Sequence, residues 1–207
     1  MAERHRVRYP VLRWCALLWL AVYVPVYYSV YGAWHFLMLC NLGVLLTCAG
    51  LVTGRQWLLS GPAVAAPSIA LLWLADAAAR VFTGEHLHGG TGYLWDPQLP
   101  LAARVLSLYH LAWPVLLAWC LHHHGYDRRG LWLQASLAAT VFAIGLWLAP
   151  AAENLNYVLQ WPGAPRPHPQ PLLQAGLSLA MLVVGLYWPT HLLLKRFFRA
   201  PVVAAIG

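Results

Sequence analysis

The sequence predicts an all-α, polytopic membrane protein, and three properties of the 207-residue chain carry this prediction. Hydrophobic residues make up 61% of the chain and charged residues only 9%, whereas a soluble domain averages about 25% charged residues. The mean hydropathy is +0.59, and the apolar residues fall into runs of about 20, the length that crosses a bilayer as a helix. Twelve tryptophans and ten tyrosines suit a chain that crosses the membrane interface many times.

The apolar runs predict six transmembrane helices in a single bundle that comprises residues 1–207. A basic cap, residues 1–9, precedes the first run. Tyr31 stands near the exit of that run, where a signal-peptide cleavage site requires small residues, so we expect the first helix to be retained. Two long polar loops, 83–100 and 151–170, separate the later runs. The predicted helices are residues 10–31, 34–53, 56–82, 101–121, 131–150 and 171–194.

The basic residues flank the apolar runs and form no single patch, which argues against nucleic-acid binding despite the net charge of +7. With a cytoplasmic N-terminus, ten basic residues fall inside and three outside, a strong positive-inside bias. Both termini are then cytoplasmic and both long loops are external. The inner residues are Arg4, Arg6, Arg8, Arg13, Arg55, Arg128, Arg129, Lys195, Arg196 and Arg199, and the outer ones are Arg80, Arg104 and Arg166.

Polar residues in the second segment break an otherwise lipid-compatible run. His35 begins this segment at the outer face, and Cys40 and Asn41 lie about 8–9 Å deeper in a continuous helix. A charge at the centre of such a helix costs about 2.5–3.5 kcal/mol, so polar groups there require partners or a function. On a continuous helix His35 and Cys40 are about 140° apart, which predicts that they face different directions.

Further polar residues fall at a similar predicted depth in other segments. Asp76 and Arg80 are four residues apart on the third helix, which favours an ion pair between them. His110 lies about 13–14 Å into the fourth segment. Asn154 and Asn156 follow the fifth helix. The sequence thus predicts a polar site in the outer half of the membrane, although a single residue such as Asn41 can instead bridge two helices.

Metal binding and thiol chemistry offer separate signals. His86 and His88, two residues apart in a Gly-rich loop with Asp96 nearby, are ligand types for zinc or copper, and a solvated loop is the alternative. The cysteines form no CxxC motif and lie in apolar segments, which predicts buried thiols and no disulfide framework. We expect no cofactor, with zinc as the alternative. The four cysteines are Cys15, Cys40, Cys48 and Cys120.

Several distinct residues and short motifs are spread along most of the chain. They are His35, Cys40-Asn41, Asp76, Trp95-Asp96-Pro97, His110, Gly125-Tyr126-Asp127, Asn154-Leu155-Asn156-Tyr157 and Pro189-Thr190-His191. In these motifs the chain resembles bacterial six-helix proteins described only as integral membrane or membrane-associated proteins. That resemblance implies a multi-pass protein of the bacterial inner membrane.

A second, more distant resemblance rests on Leu37-Met38-Leu39-Cys40-Asn41 and Asn156-Tyr157. These stretches are similar to motifs of the transmembrane-protein-164 type family, which includes a phospholipid acyltransferase. The resemblance implies that Cys40 is the acyl-accepting nucleophile and His110 its base.

Three classes of function remain open on the sequence. The first is a membrane-embedded lipid acyltransferase or hydrolase, in which Cys40 attacks an ester after it loses its proton to His110 or His35. Asn41 or Asn156 then stabilises the oxyanion and Asp76 orients an imidazole. The second is a metal-dependent hydrolase, with zinc held by histidines and Asp76. The third is a non-enzymatic bundle that binds lipid, quinone or haem, or serves as an assembly subunit. The nominal depth difference between His35 and His110 disfavours haem held by these two histidines. Membrane lipids are the expected partners in each case.

Overall fold

The computed structural model describes residues 8–162, 164 and 166–199, and all regular structure in these ranges is helical. The prediction of an all-α chain is therefore confirmed for this part of the sequence. Arg4 and Arg6 of the predicted basic cap lie outside the described residues. The α-helices are α1 Leu12–Tyr31, α2 Leu39–Thr53, α3 Gln56–Thr83, α4 Leu101–Leu106, α5 Tyr109–His124, α6 Arg129–Trp147, α7 Pro171–Ala180 and α8 Trp188–Phe197.

Several of these helices combine into longer apolar stretches. α4 and α5 together form one stretch, and α7 continues into α8 through a π-helix, Met181–Tyr187, in which the hydrogen bonds widen to the i→i+5 pattern. Within the described ranges, five stretches are long and apolar enough to cross a membrane. They are Leu12–Tyr31, Gln56–Thr83, Leu101–His124, Arg129–Trp147 and Pro171–Phe197.

The second predicted helix, residues 34–53, is wrong as a continuous element. A 3₁₀-helix, Trp34–Leu37, comes first, and Met38 is extended with ψ of 132° before α2 begins. Asn156, from the distant 151–170 loop, accepts a 2.8 Å hydrogen bond from the backbone N–H of Leu39. This bond satisfies one of the amides that a helix N-terminus leaves without partners, so the chain can break there. The 15 residues of α2 cover only about 22 Å.

α3 is the central helix of the bundle, and more than half of its most apolar window is buried. Its neighbours approach closely because small residues form the contacts. A Cβ at Gly130 would lie 2.5 Å from the carbonyl carbon of Ser60 on α3. A Cβ at Gly43 on α2 would lie 2.5 Å from the ring of Trp113 on α5. These two glycines therefore set how closely α6 approaches α3 and how closely α5 approaches α2.

The bundle has two ends of different chemistry, which we name here. The cavity end is where α1 and α3 finish and α2 and α5 begin, and the long loops 83–100 and 151–170 lie at this end. The basic end is where α3 and α6 begin and α8 finishes. A buried hydrogen-bond chain closes the basic end, from the Tyr9 hydroxyl to the Gln56 side chain (2.8 Å) and from Gln56 to the Gly125 carbonyl (2.6 Å).

All four cysteines are free thiols, but they are not all buried. Cys48 and Cys120 are buried in the core and Cys40 is partly accessible. Cys15 is exposed on the outer face of α1, so the prediction of a buried thiol is wrong there. The reason is that α1 buries only about a sixth (17%) of its most apolar window, and a thiol, which behaves as a small apolar group, suits the apolar surface that remains.

Candidate active site

A cavity of about 320 Å³ lies at the cavity end of the bundle. The walls come from α1, α2, α3 and α5, from the 3₁₀-helix before α2 and from both long loops. Six candidate site residues from the sequence line this one cavity: His35, Cys40, Asn41, His88, His110 and Asn156. Small-molecule sites typically measure about 300–1,000 Å³, so this cavity is large enough for part of a lipid.

His35 and Cys40 both line the cavity, against the expectation that they face different directions. The expected angle of about 140° assumed one continuous helix. Because the chain is extended at Met38, the two residues belong to separate elements and can converge. The His35 ring stacks on Tyr31 at 4.3 Å between centroids. His35 and His110 likewise share the cavity, so their nominal depth difference is no argument against a ligand between them.

Cys40 lies in the first turn of α2, where its Sγ is 3.7 Å from Oδ1 of Asn41. The thiol is half-buried, whereas Cys48 and Cys120 are buried in the packed core. Cys40 and Asn41 are the second and third residues of α2, so their backbone N–H groups belong to its first turn. N–H groups in the first turn of a helix lack intrahelical partners, so they remain available to an anion that forms there.

His110, in the first turn of α5, is held by a hydrogen bond and by two aromatic rings. Its Nδ1 donates to the Ser107 carbonyl at 2.7 Å, which assigns the proton to Nδ1 and leaves Nε2 as an acceptor. The imidazole lies 5.2 Å from Trp73, almost parallel to it at 3°, and 4.1 Å from the Tyr109 ring. Such a ring is oriented in advance and can accept a proton at Nε2.

The side chain of Asn41 is occupied by other residues, which corrects the expectation that it stabilises an oxyanion. Its Oδ1 accepts hydrogen bonds from the hydroxyls of Tyr23 and Tyr109, both at 2.8 Å. Its Nδ2 donates to the backbone carbonyl of His35 at 2.8 Å. Asn41 is therefore a buried connector of α1, α5 and the 3₁₀-helix, and it positions Cys40 beside it.

The side chains of Asn156 and Asn154 also form hydrogen bonds with backbone groups. Asn156 accepts from the Leu39 amide and donates to the Leu37 carbonyl at 2.9 Å, so it bridges the break in the second segment. Asn154 does not line the cavity. Its Oδ1 accepts from the amides of Leu159 and Gln160 and closes a turn within the loop.

Asp76 is buried behind the cavity wall, and its expected ion pair with Arg80 is absent among the described residues. The carboxylate instead accepts from the backbone amides of His88 (2.7 Å), Gly89 (3.1 Å) and Thr91 (2.9 Å). It also accepts from the Thr91 hydroxyl. Asp76 therefore fixes the loop that covers the cavity. The i,i+4 spacing to Arg80 gave the wrong partner because the loop supplies more donors. Arg80 does not line the cavity.

The two candidate metal ligands interact with Asp76 as well. Nδ1 of His86 lies 3.2 Å from its carboxylate, so Asp76 contacts an imidazole, but not that of His110. His88 lines the cavity, and its Nδ1 accepts from the Gly90 amide at 3.1 Å. In the described part of the chain, no group of three or more His, Cys, Asp or Glu residues is arranged to hold a metal. The zinc site stays a prediction.

The sequence reasoning missed the aromatic lining of the cavity. Tyr27, Tyr31, Trp73, Tyr93 and Tyr157 all contribute to the wall. Nε1 of Trp73 donates to the Tyr93 hydroxyl at 2.8 Å, and burial raises the pKa of Tyr93 to about 12, so this phenol is neutral at physiological pH. The spacing of four between the two α1 tyrosines places them on one helix face and could have revealed the lining.

Tyr157 adopts a left-handed backbone conformation with φ of 60°. Asn154 and Asn156 share this conformation, with φ of 38° and 52°. Asparagine tolerates the left-handed region, but a bulky residue there is strained and persists only when its surroundings hold it. Gln174 on α7 donates to the Tyr157 carbonyl at 2.8 Å and is one of the contacts that hold it. Tyr157 lines the cavity, so the contacts that hold its strained backbone also fix this part of the cavity wall.

No lysine, arginine, aspartate or glutamate is among the described residues that line the cavity. The polar groups that reach it are imidazoles, amides, hydroxyls and one thiol, set in aromatic and aliphatic walls. Moving an ion into such surroundings without a partner costs several kcal/mol. The cavity therefore suits an uncharged ligand segment.

No family model, curated protein or solved structure matches this chain. The class of protein that the fold defines is a helical bundle with several apolar helices that are long enough to cross a membrane.

Proposed function

We propose that this protein is a six-segment membrane protein of the bacterial inner membrane, with both termini in the cytoplasm. Five stretches of sufficient length and the ten-to-three bias of basic residues support this topology. The sixth segment, α2 with its 3₁₀-helix, enters from the outer side and begins below the surface. In this arrangement the cavity lies in the outer half of the membrane.

We further propose that the cavity is the active site of a lipid acyltransferase or hydrolase. One observation carries the proposal: the thiol of Cys40 and an imidazole oriented through Nδ1, that of His110, line the same cavity, and no described residue that lines it is charged. A thiol that acts as a nucleophile needs a base for its proton, and an imidazole fixed at Nδ1 meets that need. The resemblance to the transmembrane-protein-164 type family supports the same two residues.

The first half-reaction transfers an acyl group to the sulfur. Sγ of Cys40 bonds to the ester carbonyl carbon, and the thiol proton passes to Nε2 of His110. When the tetrahedral intermediate collapses, the carbonyl carbon–oxygen bond to the alcohol breaks, and the alcohol takes this proton from His110. The acyl group remains on Cys40 as a thioester.

The second half-reaction releases the acyl group to an acceptor. A water molecule, in hydrolysis, or an alcohol, in transfer, gives its proton to His110 and attacks the thioester carbonyl. The carbon–sulfur bond breaks, and the sulfur recovers a proton from His110. The first-turn amides of Cys40 and Asn41 replace the side chain of Asn41 as the proposed oxyanion donors.

The uncharged wall defines the part of the substrate that enters. At about 320 Å³ the cavity is at the lower end of the range for small-molecule sites, about 300–1,000 Å³, so an ester group and part of one chain are suited to it. A phosphate in this space would lack a cation among the lining residues. We therefore propose that a neutral ester segment occupies the cavity and that a charged headgroup close to the ester hinders its entry.

The test uses the full chain in vesicles with diacylglycerol or phosphatidic acid of identical acyl chains. We expect faster acyl release from diacylglycerol. We also expect a hydroxylamine-sensitive acyl adduct on the protein that is lost in Cys40→Ala. The matched control is Cys15→Ala, because Cys15 is exposed outside the cavity. Full activity of Cys40→Ala would remove Cys40 from the mechanism, and equal rates on both lipids would remove the neutral-ester preference.

A further inference from the structure

A second concavity, of about 400 Å³, lies at the basic end of the bundle, opposite the cavity. It is formed between the turn that follows α5 and the last turns of α8. We call it the basic groove. Its lining consists of four basic side chains and one leucine: Arg128, Lys195, Arg196, Arg199 and Leu192.

Two hydrogen bonds from Tyr126 hold the walls of the basic groove together. The backbone N–H of Tyr126 donates to the Phe198 carbonyl at 2.8 Å. The buried Tyr126 hydroxyl is hydrogen-bonded to Nδ1 of His191 on α8, also at 2.8 Å. These contacts fix the turn against α8 and bring Arg128 to the same concavity as Lys195. The convergence is therefore built into the fold, beyond what a topology signal requires.

Within the described ranges, the charges of the groove have no acidic partner. Asp127, in the same turn, pairs with Arg129. Nη2 of Arg129 lies 2.6 Å from Oδ2 of Asp127. Among the described residues, no carboxylate lies within 4 Å of the basic side chains in the groove. Like charges in one concavity repel each other at close range, so an anion that bridges them is favoured.

The apolar surface beside the groove indicates what kind of anion fits. Leu192 lines the groove, and Leu193 and Phe197 on the same helix are 56% and 68% exposed. A soluble phosphate would leave these side chains in contact with water. A lipid would place its phosphate among the cations and its chains along α8.

We propose that the basic groove binds the headgroup of an anionic phospholipid, with preference for a lipid that carries two phosphates. Four converging cations exceed the single negative charge of one phosphodiester, so a lipid with two phosphodiesters neutralises more of the groove. The binding is independent of the chemistry proposed for the cavity, because the two sites lie at opposite ends of the bundle.

The experiment measures lipid retention by native mass spectrometry on the detergent-purified full chain. The probes are cardiolipin, phosphatidylglycerol at equal phosphate content, phosphatidylcholine and soluble pyrophosphate. We expect cardiolipin to bind more tightly than phosphatidylglycerol, and phosphatidylcholine to be removed readily. The double variant Lys195→Gln/Arg199→Gln should weaken cardiolipin binding about tenfold or more.

Two further variants serve as controls. Arg55→Gln removes an exposed basic residue near the same end but outside the groove, and it should change binding less than about twofold. Lys195→Arg keeps the charge and should keep binding, which separates loss of charge from misfolding. An equal loss in Arg55→Gln and in the double variant would overturn the proposal, because diffuse charge would then suffice. Competition by pyrophosphate as strong as that by cardiolipin would overturn the lipid assignment.

Discussion

The two ends of the bundle treat polar side chains in opposite ways. At the cavity end the amides, hydroxyls and carboxylate bond to one another or to the backbone, as Asn41 and Asp76 do. None of the described residues that line the wall is charged. At the basic end four cations line one groove without a carboxylate partner among the described residues. The first end is suited to hold a reactive segment of a neutral molecule, and the second to hold an anion.

The base at the cavity end gives the sharpest test of this contrast. His110→Gln retains a donor for the Ser107 carbonyl but removes the nitrogen that accepts a proton. We expect acyl release to fall about 10²–10⁴-fold with little change in stability. The matched control is His123→Gln, on the exposed face of α5, where Nδ1 contacts only the Trp119 carbonyl. Comparable losses in both variants would refute the role of His110 as base.

The anchor of the covering loop should affect stability more than any surface charge does. Asp76→Asn places an amide where backbone N–H groups of His88, Gly89 and Thr91 need an acceptor. We expect a loss of about 2–3 kcal/mol and faster proteolysis within residues 86–91, because buried donors lose their partner. Arg80→Gln is the control, since Arg80 makes no ion pair with Asp76. Destabilisation by Arg80→Gln that matches Asp76→Asn would restore the ion pair.

The bridge across the broken second segment should have an intermediate effect. Asn156→Ala removes the cap on the Leu39 amide and the bond to the Leu37 carbonyl. We expect a loss of about 1 kcal/mol, typical of a helix cap, together with lower activity because His35 and Cys40 lose their fixed relation. Asn156→Asp keeps the acceptor for Leu39 and should recover part of the stability. Unchanged thermal unfolding of both variants would show that the cap is dispensable.

The acidic residue at the basic end should have the smallest effect. Hydrogen bonds from the Arg129 side chain lower the pKa of Asp127. Its contribution is therefore present above the unfolded pKa of about 3.9 and is lost as pH falls through the lower folded value. Because the Arg129 side chain is largely exposed and water screens the pair, Asp127→Asn should lower Tm only slightly at neutral pH, and the difference should vanish in acid. A large, pH-independent drop would contradict this.

Much of the helical architecture follows from the sequence, because long apolar runs leave few alternatives to a helix. The shared cavity of Cys40, Asn41 and His110 agrees with the reasoning that polar groups in apolar segments need one another. The break at Met38 could not be predicted, since its cap, Asn156, lies 117 residues from Leu39 in sequence. Residue spacing predicts which side chains can interact on one helix, but it does not predict contacts with residues of a distant loop.

The same limit explains the error at Asp76. A helical face offered one arginine four residues away, whereas the folded loop offers several N–H donors and a hydroxyl at hydrogen-bond distance. A carboxylate gains more from such a set than from a partly solvated guanidinium. The aromatic lining was missed for a different reason. Tyrosines also suit the membrane interface, so their number in a chain predicted to cross a membrane does not indicate a cavity.

The π-helix Met181–Tyr187 sets how far α8 is rotated relative to α7, and therefore which side chains face each end of the bundle. It fits an additional residue into the helix, as an insertion does, and Leu182 and Tyr187 line the cavity while His191, one turn later, meets Tyr126. If the same residues formed regular α-helix, at about 100° per residue, all that follows would be rotated relative to α7. The basic side chains of α8 would then point away from Arg128. The wider turns of the π-helix thus let one continuous helical stretch place side chains in both the cavity and the basic groove.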